Sequence, residues 1–130
     1  MYKRQGIISG GALQRGAMGT AGDVGHVRLP RANGVICRCG NEGCLEAVAA
    51  APALAAALRE GGADVSSSAD IVALVRSGNR EAVQVVRQAG RDMGEVVAMI
   101  VNFINPSVVV VGGAMSACLL YTSPSPRDRS

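Results

Sequence analysis

Three observations predict an α/β domain for this 130-residue chain. Ser107 to Val111 reads SVVVV and closes on Gly112-Gly113, the pattern of a strand buried on both faces of a helix-covered parallel or mixed sheet. A long stretch of helix formers, from Arg80 to Ile104, leads into it. Near the other end, Ile7-Ile8 and Leu13-Gln14-Arg15 flank Ser9-Gly10-Gly11-Ala12, which reads as a hairpin on a glycine turn. Hairpin, cysteine-rich loop, helices and strand in that order make an α/β unit without internal repeats.

Between hairpin and cysteines, residues 16–25 hold four glycines and read as an irregular loop. Such loops let backbone approach a ligand, and they also serve as ordinary connectors. Leu45 to Glu60, LEAVAAAPALAAALRE, is a helical stretch with Leu54 and Leu58 on one face; Pro52 marks a break or a new first turn, and Gly61-Gly62 a stop. Ser68 offers an N-cap to the next helix, ADIVALVRSG. Asn79 caps the long helix, whose Val83, Val86, Gly90, Met93, Val97, Ile100 and Val101 form the expected inward stripe. Pro106 ends it.

Apolar residues make up 48% of the chain and aromatics only 2%, so the core is built from Ala, Val, Leu and Ile. The longest apolar run is far short of the roughly 20 residues of a membrane span, and MYKRQGIISGG lacks the apolar region of a signal peptide. Four cysteines without a secretory context fit a reducing, cytoplasmic compartment. Both ends read as foreign. TGT CTC TTA TAC ACA TCT encodes Cys118 to Ser123, and TAT AAG AGA CAG encodes Tyr2 to Gln5; the two resemble one library-adapter sequence on opposite strands. Residues 1–5 and 118–130 are therefore expected to be adapter-derived, with 6–117 the genuine fragment. Setting aside Lys3, Arg4, Arg127, Arg129 and Asp128 leaves nine of the 13 basic and nine of the 10 acidic residues. The formal +3 charge is then no argument for a nucleic-acid partner.

Three of the four cysteines fall within eight residues: Cys37, Cys39 and Cys44, in a C-x-C-x4-C pattern. The only histidine, His26, lies eleven residues before Cys37. Thiolates and a neutral imidazole are the ligands of tetrahedral Zn2+, and four protein ligands close the shell, which marks a structural ion. Gly40 and Gly43 would let the loop wrap tightly. The alternatives are three buried thiols with a core histidine, or an iron–sulfur cluster, which more naturally takes four cysteines.

GTAGDVGHVRL followed by CRCGNEGCLE closely resembles the zinc signature of the ROK family of repressors, open reading frames and kinases. IISGGALQRGAMGTAG is similar to that family's preceding hairpin and loop, and NPSVVVVGGAMS to its late strand and glycine turn, so the likeness covers nearly all of residues 6–117. The resemblance implies part of an actin-like (ribonuclease H-like) sugar kinase fold with an inserted zinc-binding loop, truncated at both ends. It implies His26, Cys37, Cys39 and Cys44 as the zinc ligands. It implies Asp23, His26 and Glu46 as residues that bind sugar hydroxyls, with Gly112 and Gly113 at the turn near a nucleotide. Read alone, Glu46 is a first-turn helix acid and Asp23 a turn residue. The sugar kinases of the family usually carry Glu where this chain has Asp23, which inclines the reading toward a regulator.

The family implies two functions. One is the effector domain of a sugar-responsive transcriptional repressor, binding a hexose or amino sugar and reaching DNA through a winged helix-turn-helix that would lie N-terminal to residue 6. The other is part of an ATP- and Mg2+-dependent hexose kinase, whose general base and phosphate-binding segment would also lie upstream; no catalytic residue is assigned here. A zinc-stabilised fold without ligand function is the third reading. Homodimers or tetramers are the family's expected assemblies.

Overall fold

The expected hairpin and helices are present in the computed structural model, which describes residues 5–113. The adapter-like ends, Cys118 included, lie outside these residues except for Gln5. Strand β1 (Ile7–Ser9) pairs antiparallel with β2 (Ala12–Gln14) in the register Ile8 opposite Leu13. Gly10 and Gly11 turn the chain with φ of 61° and 77°, left-handed values that a two-residue hairpin requires and glycine adopts without penalty.

Four helices follow among the described residues: α1 (Leu45–Ala49), α2 (Ala51–Glu60), α3 (Ser68–Arg76) and α4 (Arg80–Ile104). α1 and α2 are separated at Ala50, which is extended, with ψ of 151°. Pro52 falls in the first turn of α2, where its missing N–H costs nothing, so the proline opens a new helix rather than kinking one. The cap of α3 is Ser67, not the expected Ser68. Ser67 Oγ accepts from the Asp70 backbone N–H at 3.3 Å, and Asp70 Oδ2 accepts from the Ser67 N–H at 3.2 Å, a reciprocal capping box that the Ser66-Ser67-Ser68 run leaves ambiguous in sequence. Asn79 caps α4 as expected, accepting from the Ala82 N–H at 2.9 Å. Asn105 ends α4 in the left-handed conformation at φ 52°, and Pro106 follows.

Helix α4 is the spine, packed against α1, α2 and α3. Its buried face carries Ala82, Val86, Ala89, Asp92 and Val96, so the stripe is rotated from the predicted one. Val83, Val85 and Ile100 flank it, partly buried. Leu45, Leu54, Leu58, Val65, Ile71 and Val75 complete the core from the other helices and connections. Leu29 and Ala32, from the segment before the cysteines, are each only 1% exposed and belong to the same core. The cysteine loop is thereby anchored in the helical layer.

The buried strand expected over 107–111 is not formed. Residues 108–111 are irregular, and their valines are exposed, Val110 to 87%. The described residues contain one two-stranded sheet, β1 with β2, so this segment has no neighbouring strand to complete its backbone hydrogen bonds or cover its faces. No helix among the described residues is long and apolar enough to cross a membrane.

Candidate functional site

The cysteine loop is a small folded unit held by backbone hydrogen bonds. The Cys37 N–H donates to Asn41 O at 2.8 Å and the Gly40 N–H to Cys37 O at 2.9 Å, closing a turn that carries Cys37 and Cys39. The Gly43 N–H donates to Val35 O and the Leu29 N–H to Gly43 O, both at 2.8 Å. Bridges between Ile36 and Glu42 and between Arg28 and Cys44 continue the pairing. Gly43 has φ of 77°, and a Cβ there would lie 3.3 Å from Leu29 O, so the closure of the loop favours glycine at this point. The Leu45 N–H then donates to Val27 O at 2.9 Å, which sets the start of α1 beside His26.

This folding gathers His26, Cys37, Cys39 and Cys44, whose donor atoms all lie within 4.8 Å of one another. His26 Nδ1 is 3.8 Å from Cys37 Sγ, and Cys39 Sγ is 3.6 Å from Cys44 Sγ. Ligand atoms about 2.3 Å from a tetrahedral ion stand roughly 3.8 Å apart, so the donor set fits such an ion. Cys37 and Cys44 are buried, whereas Cys39 is exposed, unlike the three buried thiols of the bland alternative. A backbone hydrogen bond from Asn41 holds the Cys39 thiol down at about 7, while burial and the adjoining Cys39 and Cys37 thiols push Cys44 up to about 11. Thiols this close cannot all ionise without a cation among them.

The other face of His26 meets two carboxylates. Its Nε2 lies 3.6 Å from Glu46 Oε2 and 4.0 Å from Asp23 Oδ2. Asp23 precedes the 3-10 turn Val24–His26 but makes no side-chain capping bond to it. Glu46 sits in the first turn of α1. Its Oε1 accepts from Arg38 Nη2 at 2.8 Å. Its Oε2 is buried and accepts no hydrogen bond among the described residues. An orphaned buried acceptor beside an imidazole N and a second carboxylate is a place for a hydroxyl donor. The histidine ring is thus shared, one nitrogen toward the thiols and one toward the carboxylates.

Gly112 and Gly113 lie beyond α4 and are exposed. Gly113 has φ of 102°, which favours glycine, and among the described residues a Cβ on either would meet nothing within 4 Å.

Three residues of the site region were not singled out in the sequence. Arg31 and Asp92 form a bidentate pair: Arg31 Nε donates to Asp92 Oδ1 at 2.5 Å, and Arg31 Nη2 donates to Asp92 Oδ2. Gln88 Nε2 adds a bond to Asp92 Oδ1 at 3.1 Å. The Asp92 partner raises the Arg31 pKa further above its ordinary value. This pair ties the loop to α4. An acid in the inward stripe of α4 was the available signal, hidden while the stripe was phased on Val83 and Val97. Arg38, the third, carried no signal beyond its place between two cysteines.

The family model that matches this chain is "ROK family", over residues 5–124. Among curated proteins, the chain is 30% identical over 125 residues to a glucokinase of Halalkalibacterium halodurans, covering 85% of this chain and 38% of the relative. It is 34% identical over 110 residues to an N-acetylmannosamine kinase of Escherichia coli, covering 85% and 37%. Among solved structures, it is similar to a ROK family transcriptional regulator, a homolog of the Escherichia coli MLC protein, with TM-score 0.75, 30% identity, and 90% and 33% of the two chains covered. A ROK family glucokinase from Streptomyces griseus, in complex with glucose and AMPPNP, superposes with TM-score 0.74 at 29% identity, covering 90% and 44%. The chain spans less than two fifths of the length of these curated relatives.

Proposed function

This chain belongs to the ROK family, and from that premise we propose that it carries a zinc-ordered sugar site serving as the effector domain of a sugar-responsive transcriptional repressor. The observation that carries the reading is the buried, unpartnered Oε2 of Glu46, 3.6 Å from His26 Nε2 and beside the four metal-competent donors. His26, Cys37, Cys39 and Cys44 would hold the ion. When bound, zinc supplies a fixed anchor that orders the loop and commits one nitrogen of His26 to the metal. The other nitrogen then donates outward to a ligand oxygen. Asp23 and Glu46 accept from sugar hydroxyls, and Glu46 is held by Arg38 before the ligand arrives.

In this reading a hexose or amino sugar binds at Asp23, His26 and Glu46 and shifts the repressor between its DNA-bound and released states. Asp23, one methylene shorter than the usual Glu of the kinases, favours the regulator. DNA contact, a homodimeric or tetrameric assembly and the cytoplasmic setting belong to the whole protein and are part of this proposal.

The second reading is an ATP-dependent hexose kinase, favoured by the kinases among the relatives. There Gly112 and Gly113 would line the nucleotide site, Mg2+ would accompany ATP, and the base would come from another part of the protein. Both readings share the sugar site, so one experiment tests what they have in common. Isothermal titration of the zinc-loaded chain with D-glucose and N-acetyl-D-mannosamine should give binding that Glu46→Gln removes at unchanged zinc content. Binding that Glu46→Gln leaves intact would sink the site assignment. The codons upstream of Gly6 then separate the readings: a helix-turn-helix marks the repressor, a glycine-rich phosphate segment the kinase.

A further inference from the structure

Arg38 stands between two metal-competent cysteines, yet its side chain leaves the loop. Its Nη2 donates to Glu46 Oε1 at 2.8 Å, eight residues away. The Arg38 side chain is 83% exposed, and the Glu46 side chain only 21%. As a stabilising contact, a pair this open is worth little. Its geometry matters more. The Arg38 backbone is fixed by the turn in which the Gly40 N–H donates to Cys37 O and the Cys37 N–H to Asn41 O. That turn therefore sets where the guanidinium can reach, and the guanidinium sets how the carboxylate is turned. With Oε1 engaged, Oε2 is the oxygen left facing His26 Nε2, buried and without a donor. A carboxylate free at both oxygens would swivel about its last torsion and offer a hydroxyl no single orientation.

Resting on the sugar-site reading above, we propose that Arg38 is a positioning residue of that site: it pins Oε1 of Glu46 so that Oε2 is presented, together with His26 Nε2, to two neighbouring ligand hydroxyls. The ligand class is a polyol with vicinal hydroxyls, one donating to Oε2 and the other accepting from the imidazole. Because Arg38 is carried by the Cys37–Cys39 turn, the loop acts on the carboxylate from two sides, through the imidazole and through the guanidinium.

The test is isothermal titration of the full, zinc-loaded chain with D-glucose and N-acetyl-D-mannosamine, comparing the unaltered protein with Arg38→Ala, Arg38→Lys and Glu46→Gln. Arg38→Ala should weaken sugar binding about threefold, and Arg38→Lys should recover most of the loss, since an ammonium still donates to Oε1. Zinc content and thermal midpoint should stay unchanged in both. Arg38→Ala binding sugar as tightly as the unaltered chain, while Glu46→Gln binds weakly, overturns the role of Arg38 and leaves the site intact. Loss of zinc in Arg38→Ala overturns it too, by making the effect one of loop folding. An unaltered chain that holds zinc and binds neither sugar overturns the sugar-site reading, and this inference with it.

Discussion

Arg31 and Asp92 grip each other through two parallel hydrogen bonds across 61 residues of sequence, and Asp92 is only 1% exposed. A carboxylate buried in a helical core is tolerated because a planar guanidinium and Gln88 occupy its lone pairs. The pair lies where the cysteine loop, through Pro30-Arg31-Ala32, meets the middle of α4. Loop position and helix position are therefore linked.

Arg31→Ala should destabilise the chain by about 3 kcal/mol, because it strands a buried carboxylate. Urea denaturation of Arg31→Ala and of Arg31→Ala with Asp92→Leu checks this. The double variant should regain much of the loss; if it is no better than the single one, packing rather than the stranded charge is responsible.

Cys39→Ala should lower bound zinc and the thermal midpoint together, since it removes one donor of a four-donor set. Metal analysis and a melting curve on the same preparation measure both. A strong chelator should reproduce the drop in the unaltered chain, and added Zn2+ should reverse it. If neither zinc nor midpoint moves in Cys39→Ala, the metal site is wrong.

Gly43→Ala should cost about 1–2 kcal/mol, the usual penalty for placing an L side chain in the left-handed region. The new methyl would also press on Leu29 O, 3.3 Å away, so the backbone bonds that flank the His–Cys cluster should loosen. Hydrogen exchange at the Leu29 and Gly43 amides reports this directly: faster exchange is expected at both.

Asp70 has its pKa lowered below the ordinary 3.8, first by the Ser66 backbone N–H, then by the Ser66 hydroxyl and the Ser67 N–H. A carboxylate with a depressed folded-state pKa contributes stability that is fully present above its unfolded value and is lost as pH falls through the folded one. Asp70→Ala should therefore be less stable than the unaltered chain at neutral pH, and the difference should shrink as pH falls below about 3.8. Thermal melts of both proteins from pH 7 to pH 3 test the trend; a constant difference refutes it.

The gathering of His26, Cys37, Cys39 and Cys44 was legible in sequence because soft donors cluster near a short loop, where spacing nearly fixes distance. The hairpin and the Asn79 cap were legible for the same local reason. The exposure of 107–111 was not, because a central strand is defined by its neighbours, and the described residues supply none. The stripe of α4 slipped because Asp92 faces inward, and only a partner far away in sequence makes that acceptable. Ser67 and Ser68 are chemically equal as caps, and the reach of Asp70 chooses between them. Arg38 was invisible because an exposed arginine gains meaning only once its partner is known.

The shared imidazole of His26 has a practical consequence. The chain contains one histidine and no tryptophan. Its proton NMR spectrum thus holds a single set of imidazole resonances, attributable without any assignment experiment. One ring nitrogen looks toward the thiols and the other toward the carboxylates. On the proposed reading, a titration with metal and a titration with sugar would each be written on that one set of signals, and the protein comes with its own reporter already installed.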